Sequence, residues 1–105
     1  MPGRSSPIKT FKEDDRRIEV RTGDRFVIEL SGIPGAGYQW SLSPGRLAGL
    51  VEREVLPSAG IGGAAAYRFH LEAKAAGTDR VTAEYRRAWE PQPHQVVVFD
   101  ITIAE

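Results

Sequence analysis

An all-β, immunoglobulin-like β-sandwich of about seven strands, with three binding loops at one end, is the fold this sequence predicts. Three observations point to it. Apolar and polar residues alternate with period two along most of the chain, as half-buried strands require. Clusters of Gly, Pro, Asp and Ser interrupt that alternation about every ten residues, the spacing of a sandwich rather than of strands separated by helices. No stretch sustains the apolar period of about 3.6 residues that a helix would show.

Met1 to Asp15 is rich in Pro, Ser, Gly and charge and follows neither period. Residues 1–16 therefore read as a flexible lead-in with one edge strand near Ile8 to Lys12, ahead of a single domain over 17–105. Ile18 and Val20 alternate with Glu19 and Arg21, then Phe26, Ile28 and Leu30 with Val27 and Glu29. The Thr22-Gly23-Asp24 turn between them makes this a strand pair or a switch between sheets. Beyond Gly32, Tyr38, Trp40 and Leu42 share one face of a strand that Pro44-Gly45 ends, and Trp40 is expected at the centre of the core.

Val51 to Leu56 forms a further short strand, followed by a glycine-rich loop to Ala64. Tyr67, Phe69, Leu71 and Ala73 alternate with Arg68, His70 and Glu72. Leu71 to Ala76 also holds good helix formers, so a short helix competes there, limited by Gly77-Thr78-Asp79. Val81, Ala83 and Tyr85 mark the next strand, and Val97, Phe99, Ile101 and Ile103 the last. A long hairpin loop, Arg87 to His94, joins them and contains Trp89, Pro91 and Pro93.

The chain has 105 residues, enough for one domain with a real core. Fourteen Lys plus Arg balance fourteen Asp plus Glu, which removes the bulk electrostatic reason to expect nucleic acid or an anionic membrane. No cysteine is present, so packing alone must hold the fold, and thiol nucleophiles and thiolate metal sites are excluded. His70 and His94, separated by several elements, lack metal-ligand spacing and read as surface or rim residues. No serine lies in a Gly-x-Ser-x-Gly setting, so no residue set carries an enzymatic reading. The first fifteen residues hold no apolar run of the signal-peptide kind. The expected location is cytoplasmic if Met1 is the native start, and periplasmic or secreted if a leader was removed.

Three loop peptides remain: Gly32-Ile33-Pro34-Gly35-Ala36-Gly37-Tyr38, Gly60-Ile61-Gly62-Gly63 and Arg86-Arg87-Ala88-Trp89-Glu90. Each is weak alone. In this order, after Gly23-Asp24 with Phe26, Ile28 and Leu30, and ahead of the apolar strand Val96 to Ile103, they resemble the chagasin-like inhibitors of papain-type cysteine peptidases. The resemblance spans Ile18 to Ile103. That family's pattern has an Asn-Pro-Thr-Thr-Gly-aromatic loop followed by Trp, a Gly-x-Gly-Gly loop and an Arg-Pro-Trp loop. Here Ile33 stands for the Asn, Gly35 and Ala36 for the two Thr, and Ala88 for the Pro. Backbone-shaping residues are kept and the polar centre is replaced.

The resemblance implies an inhibitor that fills the peptidase cleft with three loops, the central one at the catalytic cysteine and the others on its flanks. The residues so implied in peptidase binding are Ile33, Pro34, Gly35, Ala36, Gly37, Tyr38, Gly60, Ile61, Gly62, Gly63, Arg87, Ala88 and Trp89. Pro34 fixes one φ, and the flanking glycines permit close backbone approach. Trp89 is the expected anchor, and Arg87 pairs with an enzyme carboxylate or covers apolar surface with its stem. The expected partner is a papain-like cysteine peptidase, with no cofactor, no nucleic acid and no membrane, and the chain is expected to be a monomer. The alternative is a non-inhibitory protein-binding or scaffold module on the same fold.

Overall fold

Period-two alternation turns into strand after strand once the chain is folded. The computed structural model describes residues 8–33, 37–57 and 64–105. In chain order the strands are β1 (Lys9–Phe11), β2 (Arg17–Arg21), β3 (Arg25–Gly32), β4 (Tyr38–Ser43), β5 (Ala48–Pro57), β6 (Ala65–Ala73), β7 (Gly77–Arg87) and β8 (Gln95–Ala104). No helix occurs among the described residues. One sheet runs β1-β3-β6-β5 and the other β2-β8-β7-β4. Among the described residues eight strands thus stand where about seven were expected.

The alternating apolar residues meet between the sheets. Ile18, Phe26, Ile28, Leu30, Trp40, Tyr67, Phe69, Leu71, Val81, Ala83, Val97, Phe99 and Ile101 are all buried in one cluster. Trp40 takes the central place expected of it, and its indole N–H donates to the Ser31 carbonyl at 2.9 Å, so its polar end is satisfied. Among the described residues no polar or charged residue is fully buried.

The turn after β2 is a switch between sheets rather than a hairpin. β2 pairs in parallel with β8, while β3 pairs antiparallel with β6 in the opposite sheet. Gly23 makes the corner with φ of 93°, a conformation that suits a residue without Cβ. Its N–H donates to the Ala73 carbonyl and that of Thr22 to the Ala104 carbonyl, which ties the corner to both sheets.

Elsewhere the structure extends or corrects the expectation. β1 forms within Ile8 to Lys12 and joins β3 in parallel. β5 is longer than Val51 to Leu56, because a bulge between Leu50 and Glu52 absorbs Val51 and lets pairing with β6 continue. The helix that competed over Leu71 to Ala76 is absent: β6 runs to Ala73, and the Lys74 N–H donates to the Leu47 carbonyl. Inter-strand hydrogen bonds there override local helix propensity.

Candidate functional site

The strand register brings the bases of the three loop peptides to one end of the sandwich. Gly32 at the end of β3 pairs with Ala65, which also pairs with Pro57 at the end of β5. In the other sheet Tyr38 pairs with Arg87, and Tyr85 with Gln95. The chain therefore leaves both sheets at this end, between β3 and β4, β5 and β6, and β7 and β8. Of the expected site residues, Pro34, Gly35, Ala36, Gly60, Ile61, Gly62 and Gly63 lie outside the described residues. Ile33, Gly37, Tyr38, Arg87, Ala88 and Trp89 can be placed.

An aromatic stack climbs from the core to this end. Trp40, 1% exposed, packs on Tyr85 with ring centroids 4.8 Å apart. Tyr85 in turn stacks on Tyr38 at 5.1 Å, with the planes 22° apart. The alternation expected of β4 puts Tyr38 and Trp40 on one face, and the pairing with β7 puts Tyr85 and Arg87 opposite them. The Arg87 guanidinium lies 4.6 Å from the Tyr38 ring centroid and 5.8 Å from that of Trp89. Its Nη1 is 4.0 Å from the Glu90 carboxylate. Arg87 is thus occupied within its own surface, covering aromatic rings in a cation–π arrangement.

Trp89 sits at the top and is 70% exposed. Gly37 has φ of 84°, and a Cβ built there would stand 3.0 Å from Trp89 Cη2. The indole thus lies against the end of the β3–β4 connection, which brings two of the three loop peptides into contact. Ile33, on the far side of that connection, is 51% exposed, and Ala88 is exposed.

Two members of this surface escaped the sequence reading. Tyr85 looked like one more inward strand residue, yet its hydroxyl accepts the Ile33 N–H at 3.0 Å. His94 is exposed, as a rim residue should be, and it also joins the stack: its ring is 5.3 Å from Tyr38, and its backbone N–H donates to the Tyr85 carbonyl. Only cross-strand register could have placed either. His70 is on the other sheet and pairs with Glu54 at 2.8 Å. Among the described residues no group of three or more His, Asp or Glu side chains could hold a metal. What the site offers is contact: exposed apolar side chains on a pinned aromatic base.

A protein-family model described as chagasin family peptidase inhibitor I42 matches residues 19–103. The chain belongs to the chagasin family. Its members are peptidase inhibitors and not enzymes, and the matched span runs from β2 to β8. The fold agrees with solved structures. The crystal structure of the cysteine protease inhibitor EhICP2 from Entamoeba histolytica superposes with a TM-score of 0.81 at 20% identity, covering 91% of this chain and 95% of that one. The solution structure of amebosin gives 0.77 at 22% identity, covering 93% and 99%. PbICP-C, solved in complex with falcipain-2, gives 0.59 at 15% identity, covering 99% and 95%. The curated proteins contain no match to this chain.

Proposed function

We propose that this chagasin-family protein is a reversible inhibitor of papain-like cysteine peptidases, and that it occludes the active-site cleft with the segments around 33–38, 60–63 and 87–89. The observation that carries this reading is Trp89, 70% exposed at the tip of a hairpin and backed by Gly37. A large apolar ring held in water by its own fold is suited to a partner's pocket, and holding it in place beforehand lowers the ordering cost of binding. The complex of PbICP-C with falcipain-2 gives a precedent on a similar fold.

The mechanism needs no covalent chemistry. Pro34 and the glycines beside it allow a backbone path close to a nucleophile, and a chain presented in a shape unsuited to attack blocks the cleft uncut. Ile33, Gly35 and Ala36 in place of polar residues leave affinity to shape and to the flanking contacts.

Titration of papain and of a cathepsin-type enzyme with the pure protein tests this. Stoichiometric loss of activity with recovery on dilution is the expected result. No inhibition at micromolar concentration, with no complex on gel filtration, would instead favour the non-inhibitory binding module.

A further inference from the structure

Both ends of the 33–38 segment are held by tyrosine hydroxyls from outside it. At the entry, the Ile33 N–H donates to the Tyr85 hydroxyl at 3.0 Å. At the exit, the Tyr67 hydroxyl donates to the Tyr38 carbonyl at 3.3 Å. Tyr67 comes from β6 in one sheet and Tyr85 from β7 in the other, so the two anchors belong to different halves of the sandwich. Each ring is fixed by packing. Tyr67 is 1% exposed, and Tyr85 lies between Trp40 and Tyr38.

Gly32 makes the arrangement possible. A Cβ there would stand 2.7 Å from Tyr67 Cε1, 3.1 Å from Tyr85 Cε1 and 3.4 Å from Trp40 Cδ1. Any other residue would push the two tyrosines away from the positions at which their hydroxyls reach the segment. Its φ is not in the left-handed region, so the requirement is for space rather than for backbone freedom. Burial, with Tyr85 close by, also raises the Tyr67 pKa above the ordinary phenol value, so its hydroxyl stays protonated to higher pH than a free phenol.

We propose that Tyr67 and Tyr85 are positioning residues that clamp Ile33 and Tyr38, where the chain leaves and rejoins the sheets at the loop end, and that this anchoring lets the inhibitor stay uncut in the cleft. The last part rests on the inhibitory reading above; the clamp itself does not. A segment with three glycine or alanine residues among its six has little side-chain bulk to define its own path. Two hydrogen bonds from rigid rings fix its two end points from outside.

The test uses Tyr67→Phe and Tyr85→Phe, which keep both rings, their double variant, and Gly32→Ala, which displaces both. Amide exchange at Ile33 is expected to speed up roughly tenfold in Tyr85→Phe, with Ile28 and Phe99 unchanged. The Tyr38 carbonyl carbon resonance is expected to move in Tyr67→Phe. Each single variant should raise the inhibition constant for papain roughly tenfold. Excess papain should cut the double variant and Gly32→Ala within 33–38, seen by mass spectrometry, while the parent protein stays intact. Unchanged Ile33 exchange and an unmoved Tyr38 carbonyl overturn the clamp, whatever the inhibition data. If the parent fails to inhibit any papain-type enzyme, the inhibitory reading falls, and those two spectroscopic readouts still decide the clamp.

Discussion

Trp89 shows how differently two tryptophans in one small domain can be used. Trp40 is 1% exposed with its N–H satisfied, whereas Trp89 is 70% exposed and lies against Gly37 and Arg87. Trp89→Ala is therefore expected to weaken peptidase inhibition roughly 30-fold, about 2 kcal/mol, in a competitive titration. Its unfolding free energy should stay within about 0.5 kcal/mol of the parent, since little packing is lost. Phase along the strand was enough to assign Trp40 to the core, because Tyr38, Trp40 and Leu42 recur every second residue. The roles of Tyr85 and His94 were not legible, since they depend on which strand lies opposite and in which register.

Among the longer strands, β5 is the most exposed. It lies at the edge of its sheet, ten residues long, with Leu50, Val51, Val55 and Leu56 all at least partly in water. An edge of that length invites pairing with another chain. Glu52, Arg53 and Glu54 in its middle and the bulge at Val51 oppose this, by charge and by local twist. Glu54 further sits among Arg68 and His70 on the outer face of β6. Replacing Glu52 and Glu54 together by Val is expected to give concentration-dependent association in sedimentation velocity, whereas the parent's sedimentation coefficient stays constant with concentration. The segment Val51 to Leu56 was correctly expected to be a strand, but the bulge and the reach from Ala48 to Pro57 arise only from pairing with β6.

Across the whole molecule, the end opposite the loops is stitched by Asp79. Its carboxylate, on β7, accepts the N–H groups of Arg46, Leu47 and Ala48 at the start of β5 in the other sheet, at 2.9 to 3.0 Å, and that of Arg80 at 2.9 Å. A Cβ at Gly45 would collide with this carboxylate, so the chain passes it only as glycine. Burial alone would raise the Asp79 pKa, but the four backbone donors outweigh it and hold the carboxyl below its ordinary value. The contribution to stability is therefore fully present above the unfolded carboxylate pKa of about 3.9 and is lost as pH falls through the lower folded value. Asp79→Ala is expected to cost about 3 kcal/mol at neutral pH, measured by denaturant unfolding, and to flatten the acid limb of the stability profile. In the sequence Asp79 only helped to limit a competing helix; three of its four partners lie more than thirty residues away.

Read alone, the sequence determined the strand faces, the apolar core and the order of three loop peptides, because a period of two states which side of a sheet each residue takes. It carried no statement of partner or register. The parallel joins of β1 to β3 and β2 to β8, the stack from Trp40 to Arg87, the Trp89–Gly37 contact, the tyrosine hydroxyls on Ile33 and Tyr38, and the Asp79 stitch were decided only by tertiary structure. Each is a contact between strands distant in the chain, and local alternation is the same whichever strand lies alongside.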